Sequence, residues 1–353
     1  MSGHHNARNV RPRNETPADW REAPAEAPAE APAEAPLPLP LPLYNESCAS
    51  SDEKRLTRMR VLGDTIARFA PEHGLLARLE QHHDKVYPIA EHIGAKLRVL
   101  LKKQDSLDAA KEVYDHTQIA PLVLNMANAH RPGGGYRSGS AAQEENLFRR
   151  SNLHFCFKDG EVVADARDPT RALYSKAMQD LINAANGVVY ISDKPRYCIR
   201  ESEHFERRTL GYDLYRNEED CFPFYEMRSA ALAVDGESNE EQRVDASNRI
   251  RAQFLSARRA GHRVLVLSAF GCGAFGGHPN IVAEEYCKAI LDNKHHFSLV
   301  VFAIHFAGWG KHNLEVFDEV FERELSAPLN AEDGLYTGRA GYYGKRTQRQ
   351  RQR

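Results

Sequence analysis

Three short segments constrain this chain most: Ile119–Met126 (IAPLVLNM), Val264–Phe270 (VLVLSAF) and Leu299–Ile304 (LVVFAI) are apolar almost residue after residue rather than alternately. A strand with that pattern is buried on both faces, which is the situation of a largely parallel sheet covered by helices on either side. Gly187–Ile191 (GVVYI) reads as a further strand. Helical patterns fall between them. Ala141–Arg150, Pro279–Asp292 and Asn313–Leu325 read as helices, and in the last Leu314, Phe317, Val320 and Phe321 share a face. Ahead of the first strand, Leu56, Met59, Leu62, Ile66 and Phe69 recur at three to four residues, the period of a helix with one apolar face. A further helix is expected over Leu97–Leu101, and another beginning near Ser106 as N-cap. The fold class is therefore an α/β/α sandwich, three layers deep, with a helical N-terminal part. Residues 193–245 break the alternation, and their topology is left open.

Composition narrows the function classes. Of 353 residues, 42% are hydrophobic and 27% charged, enough apolar material for a sizeable core. Lys plus Arg (47) nearly balances Asp plus Glu (49), so the global basic field used to grip nucleic acid is missing. No run of about 18 apolar residues occurs, and Met1–Trp20 lacks the apolar stretch of a secretory signal, so neither a membrane helix nor export is expected. The six cysteines (Cys48, Cys156, Cys198, Cys221, Cys272, Cys287) form no C-x-x-C pair. That argues against a disulfide scaffold or zinc ribbon and for a reducing, intracellular compartment, cytoplasmic or nuclear. His82-His83 and His295-His296 are adjacent pairs whose side chains diverge, and no H-x-x-x-H spacing occurs. No metal and no cofactor are expected.

Three parts differ in kind. Residues 1–51 carry an A-P-A-E repeat from Ala23 to Pro36 and alternating Leu and Pro from Leu37 to Leu43, the composition of an extended, polyproline-like spacer. Residues 52–328 read as one domain. Residues 329–353 read as a basic disordered tail, ending in GKRTQRQRQR with five cations and no acid; it is a nuclear-import signal, a loose polyanion contact or a solvated end. The chain is expected to be a monomer.

Two glycine-rich clusters follow buried strands, at the carboxyl ends where open α/β sheets bind ligands. The first runs Asn125-Met-Ala-Asn128-Ala-His-Arg-Pro-Gly133-Gly134-Gly135, then after seven residues Gln143-Glu144-Glu145. Three glycines have no side chains to fend off a ligand, and their amides can face an anion. Neighbouring carboxylates near a helix start diverge by ~100°, so Glu144 and Glu145 are not the opposed pair of an ordinary glycosidase. A division of labour is expected, one carboxylate holding sugar hydroxyls and the other exchanging a proton; the alternative is stabilisation of the helix dipole, worth ~0.3–1 kcal/mol. The second cluster, Ser268-Ala-Phe-Gly271-Cys-Gly273-Ala274-Phe275-Gly276-Gly277, fits G-x-G-x-x-G and leads into a helix with Pro279 in its first turn. A dinucleotide fingerprint also needs an acid closing the next strand, and Leu299–Ile304 continues into His305-Phe306 instead. What remains is a diphosphate loop at a helix N-terminus. Phe275 would either cover a sugar or base, or belong to the core.

The stretch VLNMANAHRPGGGYRSGSAAQEENLFRRSNL, with G-G-G and Q-E-E seven residues apart, resembles the signature of poly(ADP-ribose) glycohydrolases of the bacterial and fungal (microbial) type. The block RVLVLSAFGCGAFGGHPNIVAEEY resembles the phosphate-loop region of that type. The resemblance spans roughly 54–323. It implies a macrodomain-like fold, with a mixed six-stranded sheet between helices and an N-terminal helical accessory segment. It also implies hydrolysis of the ribose–ribose O-glycosidic bonds of poly(ADP-ribose), releasing ADP-ribose without a metal, on poly(ADP-ribosyl)ated proteins. By the same resemblance Glu145 would be the acid–base and Glu144 the holder of the scissile ribose hydroxyls, while Gln143 would shape the catalytic loop. Asn128 and Gly133, Gly134 and Gly135 would border the distal ribose and diphosphate. Gly271, Gly273, Ala274 and Gly276 would wrap the phosphates, with Phe275 over the ribose. Glu145 would need a raised pKa to start protonated near neutral pH. The alternatives are a mono-ADP-ribosyl hydrolase and a macrodomain that binds ADP-ribose without cutting it.

Overall fold

Strands that are apolar on both faces need helices on both sides, and the chain supplies them in alternation. The computed structural model describes residues 51–84, 96–168, 171–203, 212–234, 238–305, 312–326 and 335–339. The proline-rich stretch, Cys48 and the run Gly344–Arg353 lie outside them. Helices α1 (Ser51–Arg68) and α2 (Leu75–His82) come first, followed by β1 (Arg98–Lys102), α3 (Ser106–Thr117), β2 (Leu122–Met126) and α4 (Gln143–Arg150). A hairpin of β3 (Val162–Ala164) and β4 (Ala172–Tyr174) leads to α5 (Lys176–Ile182), β5 (Tyr190–Ile191), β6 (Arg196–Cys198) and β7 (Phe222–Ser229). Then come α6 (Asn239–Arg259), β8 (Val264–Leu267), α7 (Pro279–Asp292), β9 (Leu299–Ala303), α8 (His312–Leu325) and β10 (Tyr336–Arg339).

The main sheet has the order β10-β1-β9-β8-β2-β7-β5, with β6 also pairing β7. Every pairing from β10 to β7 is parallel, and β5 and β6 run antiparallel to β7. The sheet is mixed, as the resemblance implies, but among the described residues it holds eight strands rather than six. Alternate residues serve opposite layers. Leu122, Leu124, Leu265, Leu267, Val300 and Phe302 pack with α6, α7 and α8. Val123, Val264, Val266, Val301 and Ala303 pack with α3 and α4. Each such side chain contributes about 1.5–3 kcal/mol on burial, which is why these strands carry apolar residues at every position.

Several expectations are corrected. Leu97–Leu101 is not helical: Arg98–Lys102 forms β1, in register with Leu299–Ala303 of β9. A five-residue apolar run has no period long enough to separate the two states, and pairing decided it. Asp105, not Ser106, is the N-cap of α3: its Oδ1 accepts from Leu107 N at 2.8 Å, and Ser106 is the first helical residue. The domain does not close at residue 328, since β10 joins the sheet beside β1. Of the expected apolar face, Leu62 and Phe69 are buried and Ile66 packs against the core, whereas Leu56 and Met59 are exposed; Thr57, Val61 and Thr65 complete the docked face of α1. Thr65 Oγ1 donates to Arg149 O on α4 at 2.7 Å, so a polar contact fixes the helical N-terminal part against the site.

Candidate active site

The carboxyl end of β2 lies between β8 and β7, and the first glycine cluster leaves the sheet there. Asn128 makes the turn: its Oδ1 accepts from the amides of His130 and Arg131, both at 2.9 Å. The chain then folds back so that Gly134 N donates to Arg131 O and Tyr136 N to Gly133 O. Gly134 has φ +54, and a Cβ there would lie 2.7 Å from Glu145 Oε1 and 3.2 Å from Glu144 Oε2. Only glycine accepts both that backbone and that proximity.

Helix α4 begins with Gln143, Glu144 and Glu145, and all three side chains turn back to this end of the sheet. Gln143 Oε1 accepts from Met126 N at 3.0 Å, and its Nε2 donates to Leu124 O at 2.7 Å. The described pairing of β2 with β8 covers Leu122 and Val123, so beyond it the Gln143 amide takes the place of a strand. Gln143 thus positions the helix. Glu144 is buried; its Oε2 accepts from Asn128 N at 2.7 Å and its Oε1 from Gly133 N at 3.0 Å. Glu145 is also buried, with Oε1 accepting from Gly135 N at 2.8 Å. Among the described residues, its Oε2 has no partner. Neighbouring helical side chains start about 100° apart around the axis, yet both carboxylates reach the same loop, because the loop wraps the helix N-terminus and offers amides to each.

Burial, chiefly, pushes the Glu144 carboxyl well above its usual range, and the neighbouring Glu145 and Glu226 charges add to this; the Asn128 and Gly133 amides oppose it. The helix carrying the pair is bolted from behind. Arg149 Nη1 donates to Ser140 O at 2.6 Å and its Nε to Tyr212 Oη at 3.2 Å. Arg150 pairs with Asp105 and, at 2.7 Å, with Asp108. Both guanidinium groups are fully buried, and removing one partner of a buried ion pair such as Arg150–Asp105 costs about 3–5 kcal/mol. The sequence reading missed Arg149, Arg150 and Asp105; two consecutive cations at the end of a short helix were the available signal.

The second cluster leaves the neighbouring strand β8 at the same edge of the sheet. Ser268 Oγ anchors it by donating to Ala303 O at 2.7 Å. Cys272 N donates to Ala269 O, Gly276 N to Gly273 O and Gly277 N to Gly271 O, closing a compact loop ahead of α7. Gly273 and Ala274 are exposed. Among the described residues, the amides of Gly273, Ala274 and Phe275 have no partner. Phe275 is half-buried and lies outside the hydrophobic clusters, and its carbonyl accepts from Val234 N at 2.8 Å. The structure therefore brings Asn128, the three glycines and the Glu pair into direct contact. Gly271–Gly276 sits on the adjacent strand end as a separate loop. Among the described residues no group of three or more His, Cys, Asp or Glu is placed to hold a metal ion, and no helix is long and apolar enough to cross a membrane.

Comparison with known proteins bears on this site. Residues 77–182 match the family model described as microbial-type PARG, catalytic domain, PARG being poly(ADP-ribose) glycohydrolase. The matched segment includes the first loop and the Glu pair. It names the family that the G-G-G and Q-E-E motif resembles. The poly(ADP-ribose) glycohydrolase of Thermomonospora curvata is similar in structure, with 23% identity, a TM-score of 0.54, and coverage of 75% of this chain and 100% of that one. A structure of the Thermomonospora curvata enzyme bound to the inhibitor ADP-HPD gives 22% identity and a TM-score of 0.52, over 75% of this chain and 99% of that one. No curated protein matches the chain.

Proposed function

We propose that this chain hydrolyses the ribose–ribose O-glycosidic bonds of poly(ADP-ribose) and releases ADP-ribose. The observation that carries the reading is the convergence of two adjacent carboxylates on Gly134, one locked at both oxygens and the other at one. The match of residues 77–182 to the microbial PARG catalytic domain supports it.

The two carboxylates suit different tasks. Glu144, held by two amides, cannot swing, and its remaining lone pairs suit the hydroxyls of the scissile ribose. Glu145 keeps Oε2 available. Protonated there, it donates to the departing 2′-oxygen as the C1″–O2′ bond breaks and the bonding electron pair leaves with oxygen. The charge left at the anomeric centre is oxocarbenium-like. A water attacking C1″ then returns its proton to Glu145, which restores the acid. The second loop supplies the anion site, with the amides of Gly273, Ala274 and Phe275 and the start of α7 directed to the diphosphate. The half-buried Phe275 ring is suited to cover the ribose. ADP-ribose is the product and the ligand of the cleft.

The test compares wild type with Glu145→Gln on auto-poly(ADP-ribosyl)ated protein, reading free ADP-ribose together with ADP-ribose affinity. The substitution keeps shape and removes the proton-transfer group, so a loss of about a hundredfold or more with affinity retained is expected. A wild type that binds ADP-ribose but releases none from polymer would overturn the hydrolase reading and leave a binding module.

A further inference from the structure

Behind the carboxylate pair lies a second buried polar cluster that the reaction as written does not use. The Arg228 guanidinium lies between the rings of Phe157 and Tyr190, at 4.6 and 4.4 Å. It donates to both oxygens of Glu226, at 2.7 and 2.9 Å. Asn125 Nδ2 donates to the same carboxylate at 2.9 Å, and Arg196 lies 3.6 Å from it. Two buried atoms here, Tyr174 Oη and Arg228 Nη1, have no hydrogen-bond partner among the described residues. Unmade bonds of this kind are rare in native interiors, and each asks for an explanation.

Tyr174, only 1% exposed, is held against the turn that gives an amide to Glu144 and, through Phe157, against α4, which carries Glu144. Its amide donates to His130 O at 2.8 Å, in the turn that begins at Asn128. Gln179 Nε2 donates to Tyr174 O at 2.8 Å and fixes the same corner. Its ring packs on Phe157, which stacks on Phe148 of α4. Burial first, and then the Glu144 charge ahead of every other charge, push the phenol well above the usual tyrosine value. The hydroxyl therefore keeps its proton and stands as a donor. The groups facing the pair include Glu145 on α4, Tyr136 beside the first loop, Glu226 and Arg228 on β7, and Glu161 before β3.

We infer that Tyr174 is a positioning residue for Glu144, its hydroxyl donating through one buried water to the Glu144 carboxylate, beside the Asn128 and Gly133 amides. A donor to the ionised form opposes the desolvation of Glu144 and keeps it an acceptor for sugar hydroxyls. The catalytic part of this inference rests on the hydrolase reading; the bond itself does not.

The experiment is Tyr174→Phe, alone and combined with Glu144→Gln. The phenylalanine keeps the ring on Phe157. Loss of a bond to a charged group should move the acid limb of the kcat/KM profile up by about one pH unit and lower kcat at neutral pH about tenfold. ADP-ribose affinity should stay nearly constant. The thermal midpoint should fall in the wild-type background and not in the Glu144→Gln background. A midpoint that rises, as removal of an unpartnered hydroxyl predicts, or that falls equally in both backgrounds, would overturn the inference. If wild type releases no ADP-ribose, the hydrolase reading fails while the two midpoints still decide the Tyr174–Glu144 bond.

Discussion

The two glycine-rich loops have similar composition, leave neighbouring parallel strands at the same edge of the sheet, and use their amides in opposite ways. In the first, Gly133 and Gly135 donate to Glu144 and Glu145, so the anions that its amides face are the protein's own carboxylates. In the second, the amides of Gly273, Ala274 and Phe275 have no partner among the described residues. The difference teaches that a glycine run does not by itself say which anion it serves. A loop that folds against acidic side chains orients them; one that closes on its own carbonyls keeps amides for a ligand.

The comparison breaks most sharply at Gly134. Gly134→Ala would drive a Cβ to 2.7 Å from Glu145 Oε1 at φ +54. Displacing a reacting group by about 1 Å can cost a hundredfold, so activity on polymer should fall about that much, with about 1–2 kcal/mol of stability lost to the left-handed backbone. Initial rates and urea unfolding check both numbers; an active, stable alanine variant would show that the carboxylates do not depend on this contact.

A smaller effect sharpens the electrostatic side. The buried Glu144 carboxyl, pushed well above its ordinary value of 4.5, binds a proton that the unfolded chain has already released. Its stabilising contribution is therefore present below 4.5 and lost as pH rises through the raised value. Glu226 behaves oppositely. Burial raises its pKa, but the charge and hydrogen bonds of Arg228, with Arg196 and Asn125, outweigh this and hold the carboxyl below its usual range. Its contribution is present above the ordinary value and lost only as pH falls through the lowered one. Unfolding midpoints across pH should show the stability of wild type relative to Glu144→Gln declining as pH rises. A flat difference between the two proteins would refute the assignment.

The smallest effect belongs to the second loop. A Cβ on Gly273 would meet nothing within 4 Å, so Gly273→Ala should change stability by no more than about 0.5 kcal/mol. ADP-ribose affinity, measured by calorimetry, would then report only how closely the diphosphate approaches that amide. A large stability loss would mean that this glycine is structural after all.

The legible parts of the fold share a physical cause. Helix α7 was read to the residue, because Pro279 suits a first turn and the apolar strands β8 and β9 bound it on either side. β8 and β9 were placed within three residues because burial on both faces leaves an unbroken apolar run. β7 escaped because its sequence, FPFYEMRS, carries a proline and two charges. Glu226 and Arg228 lie two residues apart on one face and pair with each other there, so a strand buried at every residue but Tyr225 carries polar letters. β10 escaped because Tyr336–Arg339 pairs on one side only and carries little apolar pattern. Asn128, the three glycines and the Glu pair lie within eighteen residues of sequence, and the structure brings them into contact. Tyr174 and Arg228 had no local signal, lying 30 and 84 residues along the chain from Glu144.

The amino-acid sequence by itself determined a helix-covered parallel sheet, two glycine loops at strand ends, and a carboxylate pair opening a helix. Each of these follows from neighbours within a few residues, where periodicity and backbone freedom act. Only the tertiary structure decided that both carboxylates converge on Gly134, that Gln143 completes the edge of β2, and that Glu226 and Glu144, both buried, are shifted in opposite directions. Those outcomes depend on which amides and guanidinium groups folding brings to each oxygen, and one-dimensional spacing carries no such information.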